Sequence, residues 1–576
     1  MTRRVKIILP IAGAIVLGIG VLASARRAPT FNRDVAPILF ANCVTCHRPG
    51  GLGPFNLLTF ADAKKRARQI VEVTASRFMP PWLPARGCVE YLDERRLSEV
   101  QIETLRRWVD KGMCEGNPKD LPAAPRWSDD WELGQPDFIA TMPELFTLPD
   151  EGRDVYRNFV VPLPITRRHF VRAIEVQPGN LHVVHHVGVR FDNTGVCRRL
   201  DAKDPVPGFA GMSPGNAVSP YGHSLSWQPG RRATSEADGT QWALDPGTDL
   251  VLQLHMRPSG KPEPVQARVA FYFIDAPPSR ASFVIGLRST AIDIPPGAEA
   301  YTIEDSYKIP VDVEAVSVYP HAHFLCQKME GWAELPDGSK ACLLRIDQWD
   351  FNWQSDYRFA HPIALPAGTK VRMRYTYDNS LHNPINEGKT LRRVQYGAQT
   401  SDEMGEFWLT LLLKNAGDIS KLDTDYARNW ALPDTISQAR TMLARNPGDT
   451  ESRVNLASAL AISGRIDEAL TELERTIAID PRCEEAHQMR AQIFNQLKQI
   501  DRAKSAFATV LEINPDNYVA LNDLGGLLLA EGQTQRAAEY FERALRANPN
   551  DRQAWENLKK ARILLERQGL PPEPGK

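Results

Sequence analysis

The stretch NPGDTESRVNLASALAISGRIDEALTELERTIAIDP, residues 446–481, is bounded by two prolines 34 positions apart. The same interval separates Pro481 from Pro515 and Pro515 from Pro549, and each proline follows Asn or Asp (Asn446, Asp480, Asn514, Asn548) at what reads as a helix end. In the same frame Gly464 is repeated by Gly532, Ala469 by Ala503 and Ala537, and Leu473 by Phe507 and Phe541. Each period holds two helical apolar patterns joined by a turn, with small residues where the two helices cross. A pair of such helices cannot bury its apolar face alone, so successive pairs must stack into an α-solenoid.

This period and pattern resemble those of tetratricopeptide repeats. Three repeats fall between about 450 and 550, RQAWENLKKARILLERQ after them reads as a capping helix, and residues 433–567 are taken as the array. The resemblance implies a groove for a protein partner, or a packing role against the rest of the chain.

Upstream, between residues 136 and 416, the pattern changes to short alternating segments broken by Pro, Gly, Asn and Asp. LVLQLHM, ARVAFYFI and VRMRYTY have strand composition, and LPDGSK is a hairpin turn signal. Short strands over such a length predict two successive β-sandwich units, 136–284 and 285–416.

Histidines with unusual spacing lie in this β region: His185 and His186 in VVHHVGVRF, His255 at the end of LVLQLH, His321 and His323 in YPHAHFL. Met404 follows in QTSDEMGEF. Imidazoles suit copper, zinc or iron, whereas a thioether is soft and points to copper that visits Cu(I). Strand residues two apart share a face, so His321 and His323 can hold one ion, and Gln253 and His255 also share a face. Adjacent His185 and His186 need a bulge, or coordination through different ring nitrogens, to reach a common ion.

These segments resemble the type II, ascorbate-dependent copper monooxygenases, the peptide-amidating and dopamine-hydroxylating family, which carry HH, LQxH, HxH and DEM in this order. WDFNWQ, residues 349–354, extends the likeness. The resemblance implies two jelly-roll subdomains and two coppers. His185, His186 and His255 would hold an electron-transfer copper, and His321, His323 and Met404 a distant, catalytic, oxygen-activating one. Where peptide-amidating members place an arginine that holds the substrate carboxylate, this chain has Tyr319, and Glu406 and Trp408 replace further substrate-binding residues. A C-terminal glycine peptide is therefore a poor substrate. His169, His182, His223, His361, His382 and His487 match no ligand motif, His382 being the first exception to consider.

Nearer the N-terminus, Cys43-Val44-Thr45-Cys46-His47 is the haem-attachment pattern: two thiols for thioethers to the porphyrin and an imidazole for iron. A redox CxxC or a zinc site is the competing reading, but zinc would need Cys88 and Cys114 as well. Met79 in FMPPWLP is the candidate sixth iron ligand, with Met113 in competition. Ser98 and Gln101 form a capping-box pattern, and Leu105, Trp108 and Val109 share a face of the helix that follows. Residues 30–118 together resemble a small all-α c-type cytochrome domain, and 119–135 read as a linker.

The chain of 576 residues is too long for one core. A formal net charge of −1 gives no global pull toward nucleic acid. Arg3, Arg4 and Lys6, the apolar run Ile7 to Leu22 and Ala23-Ser24-Ala25 read as an export signal over residues 1–25, cleaved or kept as an anchor, which places the body in the periplasm. In that oxidising setting, Cys88 with Cys114 is the first disulfide to expect among eight cysteines.

The expected function is hydroxylation of a C–H bond of a small molecule or peptide by O2, with two coppers and one covalent haem c. The haem would act as the tethered electron donor in place of ascorbate. Two alternatives have a different character: an exported haem and copper electron carrier or copper-handling protein, and a repeat-based assembly scaffold with non-catalytic metal sites.

Overall fold

The computed structural model describes residues 27–567, apart from 93, 126–130, 230, 232, 234, 236–238 and 398; the expected export segment lies outside them. Among the described residues no helix is long and apolar enough to cross a membrane. Two compact units result, one holding the residues up to Trp82 and those of 94–125, the other Leu83–Leu92 and the chain from Trp131 onward.

The first unit is helical: Ala36–Asn42, Phe60–Lys65, Ala67–Ala75 and Glu99–Asp110. The capping box read from the sequence is present, with Gln101 N–H donating to Ser98 Oγ at 3.2 Å and Ser98 N–H to Gln101 Oε1 at 2.8 Å. Leu105 and Trp108 are fully buried with Phe31 and Leu39, and half-buried Val109 packs against them.

In the second unit two pairs of antiparallel sheets follow one another. In the first pair, Phe138–Thr141, Arg268–Ile274, His169–Gln177 and Trp242–Leu244 make one sheet. Phe209–Ala210, Val155–Pro162, Asp249–Met256, Val184–Asp192 and Ser226–Trp227 make the other. Apolar residues of both, Val171 and Phe271 against Phe159, Val187 and Leu252, form one core. The strand Asp249–Met256 is central and buried at every position, which is why its polar residues Gln253 and His255 need partners. The end of the stretch read as a linker is packed rather than free, since Trp131 is buried with Ala173, Ala270 and Tyr272.

The second pair consists of Ser282–Arg288, Gly405–Leu413, Val313–Ala322 and Tyr357–Leu365, facing Tyr301–Lys308, Lys370–Tyr377, Cys326–Glu334 and Lys340–Ile346. The approach is close at Gly331, where a Cβ would lie 2.2 Å from the Phe407 ring. LPDGSK turns the last hairpin, with Leu335 N–H on the Ser339 carbonyl and Gly338 at φ 86°.

The expected Cys88–Cys114 bridge is not formed. Cys88 pairs with Cys342, and Cys114 is exposed in the first unit. The cause is the path of residues 83–92, which leave the expected continuous 30–118 domain and run along two sheet edges. Ala85 N–H donates to Arg345 O, Leu92 N–H to Arg358 O, and Tyr91 Oη to Leu343 O at 3.0 Å. Covering Lys340–Ile346 and Tyr357–Leu365 in this way satisfies edge groups that would otherwise be open to other chains.

Eight helices end the described residues, from Leu432–Arg445 through Thr450–Ile462, Ile466–Ile479, Glu484–Gln496, Ile500–Ile513, Tyr518–Ala530 and Thr534–Ala547 to Arg552–Arg567. Ala469, Ala503, Ala537, Leu473, Phe507 and Phe541 are fully buried, as the period requires. A second small-residue series, Ala457, Ala491 and Gly525, meets them; a Cβ on Gly525 would lie 2.8 Å from the Phe541 ring. Gly464 and Gly532 hold left-handed backbone at φ 77° and 79°, and at the equivalent place the middle repeat forces Lys498 to φ 59°.

Candidate metal centre

The first histidine set is assembled by a register slip. Strand Val184–Asp192 pairs antiparallel with Asp249–Met256, and the pairing shifts between Val184 and His186 so that His186 faces His255 while His185 is the extra residue. That bulge turns two adjacent side chains to one side of the sheet. The Nδ1 atoms of His185 and His186 lie 3.3 Å apart, and one ligand atom from each of His185, His186 and His255 falls within 4.8 Å of the others.

His255 is buried and held from two sides. Its Nε2 hydrogen-bonds Asp154 Oδ2 at 2.9 Å, and Tyr156, its cross-strand neighbour, stacks on it at 4.2 Å. With Nε2–H donating to the carboxylate, the lone pair is on Nδ1, which is buried without a hydrogen-bond partner. An orphaned buried acceptor beside two further imidazoles is what a metal ligand set requires. Burial, then the charge of His255, holds His185 down to about 3, and the same causes place His186 well below the ordinary imidazole range. Both rings are therefore neutral at neutral pH. Burial would raise the Asp154 carboxyl, but the hydrogen bond and charge of His255, with Arg257 and a hydrogen bond from Thr400, hold it below its usual value.

The second set lies at the end of strand Val313–Ala322. The His321 and His323 rings are 5.3 Å apart. His321 Nδ1 bonds Gln354 Oε1 at 2.6 Å and His323 Nδ1 bonds the Asp402 carbonyl at 3.0 Å, which leaves Nε2 as the lone-pair nitrogen of each. Burial, then His321, pushes His323 down to about 3. Met404 is half-buried, and its carbonyl accepts from Tyr377 Oη at 2.8 Å. Glu403 joins it to the pair: the fully buried carboxylate accepts the N–H groups of His323, Leu325 and Met404.

The expectation of a distant second copper is corrected by Phe351. Its ring stacks on His185 at 4.7 Å and meets His323 edge-on at 5.6 Å, so the two histidine sets are separated by one aromatic side chain. Each set depresses the other electrostatically, His321 acting on His185 and His255 acting on His323.

WDFNWQ supplies three supports at once: Trp349 Nε1 donates to the His323 carbonyl, Phe351 separates the sets, and Gln354 orients His321. Asp154, Tyr156 and Glu403 carry comparable roles, and the sequence reading missed them. Glu403 could have been found from its place beside Met404. Asp154 and Tyr156 face His255 only once strand register is known. Tyr319 is tied to Gln354 and Gln228, and Glu406 to Trp408 Nε1 at 3.1 Å and Arg288 at 3.8 Å. His382 is an exposed partner of Glu299.

In the first unit, helix Ala36–Asn42 ends at Cys43, and the N–H groups of Cys46 and His47 fold back onto its carbonyl at 3.2 and 3.0 Å. One turn thus carries both thiols and the imidazole. His47 Nδ1 bonds the Phe55 carbonyl at 3.1 Å, leaving Nε2 as the lone-pair nitrogen, and a Cβ on Gly53 would lie 2.6 Å from that Nδ1. Burial, with Cys46 beside it, pushes the Cys43 thiol up to about 12. Met79 and Met113 are both half-buried; Met79 follows helix Ala67–Ala75 with its N–H on the Val73 carbonyl, and Met113 packs on the unit's core. The zinc reading loses Cys88 to its disulfide.

Comparison with known proteins gives a tetratricopeptide repeat family match over residues 432–493 and 495–563. Subunit 3 of the anaphase-promoting complex of Schizosaccharomyces pombe is 28% identical over 113 residues, 20% of this chain and 17% of that protein. The human protein O-mannosyl-transferase TMTC1 is 24% identical over 170 residues, 28% of this chain and 19% of its own. Tetratricopeptide repeat protein 33 of Xenopus laevis is 33% identical over 107 residues, 18% of this chain and 42% of that one. The chain thus spans less than a fifth of the length of the first two. The crystal structure of MamA aligns at a TM-score of 0.22 and 19% identity, over 27% of this chain and 86% of its own. Residues 432–563 of this chain are tetratricopeptide repeats.

Proposed function

We propose that the chain is an exported copper-dependent monooxygenase, supplied with electrons by a covalent haem and linked through its repeats to a protein partner. The observation that carries this reading is the paired histidine architecture. Three imidazoles converge with Asp154 fixing His255, and one aromatic ring away two more imidazoles have Nδ1 engaged and Nε2 available. His185, His186 and His255 would hold one copper, and His321, His323 and Met404 the other, where a thioether favours the reduced ion. Bound there, copper supplies one-electron chemistry toward O2.

The chain's own groups prepare the site. Asp154, Gln354 and the Asp402 carbonyl fix ring orientation and tautomer, Tyr156 and Phe351 stack on the rings of His255 and His185, and Trp349 holds the His323 carbonyl. Cys43, Cys46 and His47 would hold the haem, which supports a one-electron donor within the chain.

A second reading, a repeat scaffold whose metal sites are not catalytic, is favoured by the family match, which covers the repeats. Haem and copper analysis of the purified full chain, with O2 uptake under reductant, separates the two. About two coppers and one haem per chain support the oxygenase. Copper well below stoichiometry supports the scaffold.

A further inference from the structure

The repeat array reaches the metal centre through its first helix, Leu432–Arg445. Gln438 Nε2 donates to Tyr396 Oη at 2.8 Å, and Asp434 takes the Arg288 guanidinium, which also faces Glu406, the cross-strand neighbour of His321. At the end of the helix Arg445 donates to the Tyr396 carbonyl and lies 3.3 Å from Asp402 Oδ1. There is no room for a side chain between them: a Cβ on Gly397 would lie 2.3 Å from Asp402 and 2.8 Å from Arg445.

The loop that Arg445 grips touches both histidine sets. Thr400 bonds Asp154, the carboxylate that fixes His255. The Asp402 carbonyl fixes His323, and the Glu403 carboxylate binds the N–H groups of His323, Leu325 and Met404. Asp402 closes the turn, with its own N–H on the Gln399 carbonyl and its Oδ2 accepting from Gln399 N–H. Three groups that orient the candidate ligands therefore sit on residues 400–403, and the array grips that segment from outside through Arg445, beside Arg392, which donates to the Ser401 carbonyl.

We propose that Arg445 is a positioning residue: the first repeat helix clamps the 399–404 loop, and the order of both histidine sets depends on that clamp. This rests on the copper reading above for its effect on metal, but the effect on the loop stands apart from it. A half-buried loop opens locally when a group that fixes it is removed, and loss of an outer-sphere orienting group typically weakens a metal site by about 10- to 100-fold.

The test compares the full chain with Arg445→Met, Arg445→Lys and Arg440→Met. Arg440 lies on the same helix and pairs with Glu468 of helix Ile466–Ile479, away from the loop. Amide hydrogen exchange is read at His323, Leu325 and Met404 in metal-free protein, and Cu(I) and Cu(II) affinities are read by competition with chelators, with circular dichroism as the check on folding. Arg445→Met is expected to speed exchange at these amides roughly tenfold and to weaken copper by at least about tenfold. Arg445→Lys should recover part of both, and Arg440→Met should match the parent. Parent-like exchange in Arg445→Met overturns the clamp, as does an equal effect in Arg440→Met. If the parent itself binds no copper, the copper reading fails and the exchange arm alone decides the clamp.

Discussion

Single residues set the tautomers of the candidate centre, and Asp154 is the most informative. Asp154→Asn keeps the shape of the side chain but weakens the acceptor that holds Nε2–H of His255, so His255 loses its bias toward a free Nδ1. Copper affinity of the first set should fall by about 10- to 100-fold in a chelator competition, with the fold intact by circular dichroism. Protonation gives a separate handle on metal-free protein. His185 is held to about 3 when folded, whereas an unfolded imidazole titrates near its ordinary 6.5. Between those values the unfolded chain binds more protons, so stability is full above about pH 6.5 and is lost as pH falls toward 3. His185→Gln should flatten that slope in denaturant titrations at stepped pH; an unchanged slope would show that other groups cause it. That Cys43, Cys46 and His47 share one turn and that His185, His186 and His255 converge was legible, because such residue types are rare at such spacing. Asp154, Tyr156 and Phe351 were not, because an aspartate, tyrosine or phenylalanine acquires its role only from neighbours brought by strand register.

Elements were legible where their pattern is local. The repeat helices follow a fixed period, so the buried alanines and Phe507 and Phe541 fell at the expected places, and the strands showed themselves by composition and by LPDGSK. The bulge at His185 was one of the two ways the sequence left for adjacent histidines to reach a common ion, the other being coordination through different ring nitrogens. The path of residues 83–92 was not, because edge pairing across a sequence separation of 254 leaves no local mark, and Cys114 was nearer in sequence. Cys342→Ser should therefore release that segment and cost about 2–4 kcal/mol in denaturant unfolding. A non-reducing digest should link peptides containing Cys88 and Cys342; a Cys88–Cys114 peptide would contradict the path. In the array, Lys498 holds a left-handed turn that Gly464 and Gly532 hold in the flanking repeats. Lys498→Gly relieves that strain and should add roughly 0.5–1 kcal/mol of stability, read as a higher thermal midpoint. A lower midpoint would mean that backbone entropy outweighs the strain.

At the scale of the whole molecule, a repeat array is joined to a β region whose two parts each contribute histidines to one neighbourhood. The sequence order of the motifs led to two sets expected far apart; the structure brings both to the two sides of Phe351. Replacement of one set should then be felt by the other. With copper loaded, two Cu(II) ions this close should broaden each other's electron paramagnetic resonance lines, and that broadening should vanish when one set is lost. The central claim is that these histidines hold copper, and the most direct measurement is copper per chain in the purified full chain and in His255→Ala. The account predicts about two copper ions in the parent and about one in the variant, the second set staying loaded. Copper near zero in the parent, or two ions retained in His255→Ala, would contradict it.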